Sequence, residues 1–320
     1  MSEERKHLST PPLRIAVQGT GNWGRNLVRV CRNLPGAELA WIVDPDPNAL
    51  AAAAALAPNA KTAGHIDETD FAFDATIAAT PAIAHVAHVE ALIKRGIHVL
   101  CEKPAALLSS DAERIVREAE RRSLCLAAGH QMVFHPAFEK LRALVEDGTI
   151  GTIRDIDSVR TGPMDFTKEP GVIWSYGPHD ISMIGELIGF DIIVSSRRLT
   201  LNRDNIATRA DLAMVHKDGT TVRIRLDGTA SQKQRIFTVH GDRGALIFDD
   251  TVPGGRLNLR RDGHDENVPI AETPDALNRE CAHFTDCIRR GALPRTGGAH
   301  LIQVTRILAD NENRPKNPET

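Results

Sequence analysis

The feature that most constrains this fold is a glycine-rich turn between an apolar segment and a helical one, at residues 13–24 (LRIAVQGTGNWG). The apolar residues before the turn are typical of a buried strand, and those after it recur at helical spacing. Glycines spaced G-x-G-x-x-G permit a tight turn, close approach of a pyrophosphate, and close packing of the helix on the strand. The pattern predicts a dinucleotide site at the helix N-terminus. Its predicted cofactor-binding residues are Gly19, Gly21, Asn22, Trp23 and Gly24.

A second apolar strand, predicted at residues 38–43, ends in an acidic residue, Asp44. At this distance from the glycine turn, a carboxylate can accept both hydroxyls of an adenosine ribose. Pro45 and Asp46 follow, so no arginine stands there to receive a 2′-phosphate. The pattern therefore favours NAD over NADP.

The two halves of the chain differ in their hydrophobic patterns. Strand and helix signals alternate over residues 13–130, which predicts a doubly wound parallel sheet of the Rossmann type. Over residues 131–310, most strand-like stretches lie too close together for crossover helices. We therefore predict an α/β protein whose N-terminal Rossmann domain is followed by an α+β domain with a mostly antiparallel, open sheet. Residues 1–12 and 311–320 are predicted to be disordered tails.

The composition argues against several classes of partner. The chain has 320 residues, 42% of them hydrophobic, which is enough for two buried cores. Its formal net charge of -3 provides no excess of positive charge with which to bind nucleic acid or an anionic membrane. The polar N-terminus lacks the apolar core of a signal peptide, and the five cysteines lack C-x-x-C spacing. We expect a cytoplasmic protein with reduced thiols that binds neither nucleic acid nor membrane.

Further candidate residues follow the predicted strands of the first half, where ligands bind in open parallel sheets. One strand ends in Thr80 and Pro81, and another ends in Glu102 and Lys103, followed by a proline. The proline keeps Lys103 out of helical geometry. Its ammonium is predicted to point into the crevice beside the nicotinamide and to stabilise a developing alkoxide. The alternative is an ordinary solvated lysine.

A histidine in the second half is the candidate base. Gly177 and Pro178 predict the start of a helix, which places His179 in its first turn. The positive end of a helix disfavours imidazolium, so His179 would stay neutral and able to accept a proton. Asp180 complements the same dipole and is a weaker candidate for substrate contact. Arg160 and Lys168 flank a loop before this helix and would bind an anionic substrate group or remain solvated. The histidine pairs lack a completing carboxylate or cysteine, so we expect no metal site.

These motifs together resemble the glucose–fructose oxidoreductase, inositol dehydrogenase and MocA (Gfo/Idh/MocA) family. The resemblance implies hydride transfer between NAD(P) and a carbohydrate carbon, and an open sheet that often forms homodimers or homotetramers. The stretch W-S-Y-G-P-H-D is most similar to the W-D-L-x-P-H-D of nucleotide-sugar 3-dehydrogenases. Besides the glycine turn and its acid, the motifs that carry the resemblance to the family are T-P-x-x-x-H (80–85), G-x-H-V-L-C-E-K-P (96–104), G-H-Q (129–131), P-H-D (178–180) and G-D-R-G-A-L-I-F (241–248).

The resemblance also implies roles for individual residues. Lys103 and His179 match the family's catalytic lysine and histidine, and His85 and Gln131 match positions near the cofactor. The chain departs from the pattern at Ser175, where the family usually has an aspartate. A serine hydroxyl cannot take a proton at neutral pH as a carboxylate can.

Three functions follow as hypotheses. The first is an NAD-dependent oxidoreductase of a carbohydrate-like substrate, in which His179 removes the hydroxyl proton and Lys103 stabilises the alkoxide. The second is a ketone or imine reductase acting on a non-sugar metabolite, because Ser175 replaces an acid and the neighbouring Tyr176 can donate a proton. Tyr176 alternatively packs under the helix. The third is a catalytically silent NAD-binding sensor.

Overall fold

The computed structural model describes residues 11–312. Of the predicted tails, residues 1–10 and 313–320 lie outside the described residues, and Asn311 belongs to the last helix. The first sheet has six parallel strands in the order β3-β2-β1-β4-β5-β6. This doubly wound order confirms the predicted Rossmann sheet. The strands are β1 (Leu13–Gln18), β2 (Ala37–Val43), β3 (Lys61–Ala63), β4 (Ala75–Ala78), β5 (His98–Cys101) and β6 (Leu126–Ala128). The helices are α1 (Gly24–Cys31), α2 (Pro47–Ala54), α3 (His85–Lys94) and α4 (Ser109–Arg121).

The second sheet has eight strands in the order β14-β13-β12-β11-β7-β10-β9-β8. Every neighbouring pair is antiparallel except β7 and β10, which confirms a mostly antiparallel sheet. The strands are β7 (Ile153–Thr161), β8 (Ile192–Leu201), β9 (Ala207–His216), β10 (Thr221–Asp227), β11 (Gln234–Gly241), β12 (Gly244–Asp249), β13 (Arg256–Arg261) and β14 (His264–Val268). The remaining helices are α5 (Pro136–Glu146), α6 (Val172–Ile188), α7 (Ala276–Arg290) and α8 (Gly298–Asn311).

One face of the second sheet is covered and the other is open. On β10, Val222, Ile224 and Leu226 are buried in the second core, whereas Arg223 and Arg225 are exposed on the opposite face. This alternation is the pattern of an antiparallel sheet with one covered face. Helix α6 packs on the covered face, so its side chains are held rigidly against the sheet.

The two C-terminal helices return to the first sheet. Leu277 and Phe284 of α7 are buried with residues of β1 and α1, and Leu301 of α8 is buried on the other side of the sheet. Helix α8 also packs against α6. The last two helices therefore bridge the two lobes and hold the crevice between them in place.

Helix α6 begins earlier than the sequence analysis predicts. It starts at Val172, after Gly171 at a φ of 102°, so Pro178 lies inside the helix and not at its first position. The prediction was wrong because residues 172–174 are buried in the second core, and this packing keeps them helical. Pro178 removes one helical hydrogen bond, to the carbonyl of Trp174, and the surrounding packing tolerates the loss. His179 consequently lies in the helix interior.

No helix within residues 11–312 is long and apolar enough to cross a bilayer. The five cysteines are buried free thiols. This confirms the prediction of reduced thiols.

A buried carboxyl in α7 makes stability depend on pH. Glu280 is 2% exposed, neither of its carboxyl oxygens has a hydrogen-bond partner among the described residues, and burial raises its pKa well above 4.5. The folded state therefore keeps a proton that the unfolded state loses, and stability falls as the pH rises above about 4.5. We expect Glu280→Gln to raise the unfolding free energy by about 1–3 kcal/mol at neutral pH. Urea melts of both proteins at pH 4.5 and 8 check this, because the difference should grow with pH; a gap that is the same at both pH values would contradict it.

Candidate active site

The glycine turn has the geometry that a dinucleotide requires. A Cβ on Gly24 would lie 1.9 Å from the carbonyl oxygen of Gly19, so the helix and the turn pack in contact. Gly19 itself has a φ of 87°, a conformation that favours glycine. At Gly21, by contrast, no atom of the described residues, apart from Gly21 itself and its two chain neighbours, lies within 4 Å of the position of a Cβ. The open space above Gly21, at the N-terminal end of α1, fits a pyrophosphate.

Gly21 and Gly24 should therefore respond differently to substitution. Gly21→Ala is expected to leave the melting temperature unchanged and to weaken NAD binding by at least about tenfold, because the methyl group would fill the phosphate space. Gly24→Ala is expected to destabilise the fold by about 1–3 kcal/mol through overpacking. Thermal melts and tryptophan fluorescence titrations with NAD measure both effects. Equal NAD affinity in Gly21→Ala and the wild type would argue against a pyrophosphate at this position.

Asp44 lies at the end of β2 and is bound to the turn. Its carboxylate accepts hydrogen bonds from the backbone amide of Thr20 at 2.5 Å and the Thr20 hydroxyl at 2.9 Å, and from the amide of Asp46 at 2.8 Å. These bonds orient the acid beside the glycine turn, where the ribose of a bound dinucleotide would lie.

A cavity of about 420 Å³ lies between the two lobes, next to the turn. It brings together most of the predicted catalytic and substrate-binding residues with the strand-end residues. The predicted residues that line it from the first lobe are Trp23, Thr80, Pro81, His85, Glu102 and Lys103, and Gln131 lines it from the segment that directly follows this lobe. Those from the second lobe are Arg160, Ser175, Tyr176 and His179.

The strand ends are connected to one another by polar side chains. The Trp23 indole donates a hydrogen bond to Glu102 at 2.5 Å, and burial raises the pKa of that carboxyl. The two ring nitrogens of His85 lie 2.6 Å from the carbonyl oxygen of Thr80 and 2.8 Å from that of Pro104. His85 therefore links the segments that follow β4 and β5, and holds the backbone beside Lys103.

Lys103 reaches across the crevice to the second lobe. Its ammonium donates a hydrogen bond to the backbone carbonyl of Ser175 at 3.0 Å, and burial lowers its pKa below 10.5. Ser175 lies four residues before His179 on α6, and residues at this spacing share one face of a helix. The lysine and the histidine therefore face the same cavity from opposite lobes.

His179 is partly buried in the cavity wall, and its surroundings keep it neutral. Its pKa is lowered well below 6.5 by burial, and the positive charges of Arg160 and Lys103 lower it further. Its Nδ1 is buried without a hydrogen-bond partner among the residues that the structure describes. Since the helix begins at Val172, these causes replace the helix N-terminus that the sequence analysis invoked.

Tyr176 and Ser175 have their own partners in the site. The Tyr176 hydroxyl donates to the carbonyl of Gly162 at 3.1 Å, and burial raises its pKa, so it stays protonated. The Ser175 hydroxyl donates to the carboxylate of Glu169 at 2.6 Å.

Asp180 does not line the cavity. Its carboxylate is fully buried, pairs with Arg160 at 3.1 Å, and accepts a hydrogen bond from Ser158 at 3.0 Å. Asp180 therefore neutralises Arg160 and fixes the position of its guanidinium at the cavity wall. Breaking this buried pair would leave an uncompensated charge.

The sequence analysis missed two charged residues that line the cavity, Glu169 and Arg235. Arg235 lies on β11, pairs with Asp250 at 3.1 Å, and also lines a neighbouring cleft of about 820 Å³. Neither residue belongs to a recognisable motif, and only the packing of the second lobe brings them to the site. Across residues 11–312, no three histidine, cysteine or acidic side chains are grouped as a metal site would require.

Comparison with known proteins shows to which family this architecture belongs. Residues 13–130 match the model of an oxidoreductase family with an NAD-binding Rossmann fold, and residues 138–247 match the C-terminal domain of the Gfo/Idh/MocA proteins. These are the two lobes that form the cavity.

Two curated relatives and one solved structure are similar over most of the chain. A 2,7-anhydro-N-acetylneuraminate hydratase of Mediterraneibacter gnavus is 25% identical over 277 residues, 81% of this chain and 73% of that protein. A myo-inositol dehydrogenase of Streptomyces leeuwenhoekii is 28% identical over 254 residues, 77% of this chain and 72% of that protein. A 3-ketoreductase of Actinomadura kijaniata, solved with TDP-benzene and NADP, has a TM-score of 0.86 at 19% identity and covers 94% of this chain and 97% of its own.

Both lobes of the fold are thus covered by matching models. The chain belongs to the Gfo/Idh/MocA family of NAD(P)-binding oxidoreductases.

Proposed function

We propose that the protein oxidises a secondary hydroxyl of a sugar, cyclitol or nucleotide sugar with NAD, or reduces the corresponding ketone in the reverse direction. The observation that carries the proposal is the cavity in which Lys103 and His179 face each other beside the strand ends that would hold the nicotinamide. Of the proteins named above, one is a myo-inositol dehydrogenase, and another is a 3-ketoreductase that was solved with TDP-benzene and NADP.

The proton steps are assigned to residues of this chain. When bound, nicotinamide supplies the hydride chemistry, and the protein aligns the substrate. In the oxidation, neutral His179 accepts the hydroxyl proton at a ring nitrogen, and the Lys103 ammonium donates a hydrogen bond to the oxygen as negative charge develops on it. In the reduction, the ketone oxygen must receive a proton. Protonated Tyr176 is a second candidate for donating it, because it lines the same cavity.

A turnover assay tests this proposal. Purified protein is mixed with NAD or NADP and with myo-inositol, UDP-N-acetylglucosamine or TDP-glucose, and reduced nicotinamide is followed at its absorbance maximum. Turnover of at least one compound supports the proposal and eliminates the silent sensor. If every sugar and its ketone is inert with both cofactors while NAD binds, the proposed function is wrong. A Tyr176→Phe variant that fails only in reduction would favour the reductase hypothesis.

We propose NAD as the preferred cofactor, because the Asp44 carboxylate would repel a 2′-phosphate. Asp44→Asn keeps the size and shape of the side chain, removes its charge and replaces one carboxylate oxygen by an amide group. We expect it to raise the ratio of NADP to NAD affinity by about tenfold, equal to about 1.4 kcal/mol. Asp46→Asn, a change two residues away at the N-cap of α2, is the matched control, and its ratio should stay at the wild-type value. A ratio that does not move in Asp44→Asn would show that the acid does not select the cofactor.

We also propose that the protein forms a homodimer or homotetramer through the open face of the second sheet. That face carries ordered ion pairs between neighbouring strands, such as Arg223 with Asp157 at 2.7 Å and Arg225 with Asp211 at 3.2 Å. Sedimentation of the wild type and of Arg223→Glu measures whether this face assembles.

A further inference from the structure

The segment between β7 and α6, residues 162–171, forms one wall of the cavity. It is held at its start by the Tyr176 hydroxyl and by the amide of Met164, which donates to the carbonyl of Gly228 at 3.0 Å. Near its end, Glu169 lines the cavity and accepts the hydroxyl hydrogen of Ser175. The segment therefore brings a carboxylate to the cavity from outside the helix that carries His179.

Ser175 is contacted from both sides of the crevice. Its backbone carbonyl accepts a hydrogen bond from the Lys103 ammonium, and its hydroxyl donates one to Glu169. A serine hydroxyl has a single hydrogen to donate, so its oxygen can only accept from any further partner. Ser175 is 5% exposed and lines the cavity, so a ligand in the cavity is the group that can reach this oxygen as a donor.

Lys103 differs from the other cations that line the cavity in the group with which it pairs. The other cations that line the cavity have their own carboxylates: Arg160 pairs with Asp180, Lys168 with Asp165, and Arg235 with Asp250, each at 3.1 Å. Lys103 is paired instead with a carbonyl. The charge of Glu169 raises the pKa of Lys103 and so opposes part of the effect of burial.

We propose that Glu169 is a positioning residue: it holds the Ser175 hydroxyl as an acceptor for a substrate hydroxyl beside the reacting carbon, and it supplies negative charge to balance Lys103. The preferred substrate would then be a vicinal diol, or an α-hydroxy ketone in the reverse direction. This inference rests on the proposed function for the identity of the reacting carbon. The charge balance does not depend on turnover.

The first experiment measures Lys103 directly and needs no substrate. NAD-loaded protein is treated with cyanate over a range of pH, and carbamylation of Lys103 is followed by peptide mass spectrometry. The charges acting on Lys103 are Glu102 and Glu169, which favour its ammonium, and Arg160 and Arg235, which oppose it. Glu169→Gln should therefore speed labelling at fixed pH by about threefold, the change that half a pKa unit produces.

Asp165→Asn is the matched control, because it removes the same charge from the same segment at a residue that does not line the cavity. It should label at the wild-type rate. If Glu169→Gln and the wild type label identically while both bind NAD, the proposal is overturned, whether or not a substrate is known. If the wild type turns over no compound but Glu169→Gln labels faster, the proposed function fails and the charge assignment stands.

The second experiment uses whichever panel compound reacts. Glu169→Ala and Ser175→Ala should each raise KM about tenfold, and the double variant should be no worse than either single one, because both remove the same contact. Glu169→Asp should recover part of the loss. An analogue deoxygenated beside the reacting carbon should bind the wild type as poorly as the variants bind the parent compound. The positioning role would be overturned by additive effects of the two substitutions. It would also be overturned if the wild type bound the deoxygenated analogue as well as it binds the parent compound.

Discussion

Lys103→Met is expected to lower kcat by about 10²–10⁴-fold while the dissociation constant for NAD changes less than about twofold. The methionine side chain is similar in length and apolar, so it removes the ammonium that donates to the Ser175 carbonyl and that is proposed to bond to the substrate oxygen. The glycine turn and Asp44, which would bind the other end of the dinucleotide, are untouched. Steady-state kinetics and fluorescence titration with NAD measure the two quantities.

Lys168→Met is the matched control for this variant. Lys168 also lines the cavity, but it is exposed and pairs with Asp165. Its replacement should leave kcat near the wild-type value. If Lys103→Met retains wild-type kcat, Lys103 does not act on the reacting oxygen.

His179→Asn is expected to lower kcat for oxidation by about 10²–10⁴-fold, because it removes the proposed base. An acid limb of the wild-type pH profile should be absent near 6.5, since His179 accepts a proton only when neutral and its pKa lies well below that value. On the basic side, kcat/KM should fall as Lys103 loses its proton at a pH below 10.5. Rate profiles from pH 5 to 10 test both limbs.

The exposed His264 on β14 is the control residue, and His264→Asn should match the wild type at every pH. An acid limb near 6.5 that disappears in His179→Asn would show that the histidine titrates at its ordinary value, and would contradict the burial that the structure gives it.

The sequence alone determined the first lobe and the position of its ligand groups. The glycine turn, Asp44, Thr80 and Lys103 all follow short apolar strands, and parallel strands of one sheet end at the same edge. Their convergence follows from local β-α-β units, so patterns within about 30 residues were sufficient. The alternation of Val222, Ile224 and Leu226 likewise predicted the one-sided second sheet.

The tertiary structure alone decided how the second lobe completes the site. Lys103 meets Ser175 across 72 residues of sequence, Arg160 meets Asp180 across 20, and Glu169 reaches the cavity by the path of the segment before α6. The start of α6 was missed because burial of residues 172–174 outweighed the local signal of Gly177 and Pro178. Such contacts depend on packing between distant segments, which hydrophobic periodicity and motif spacing do not encode.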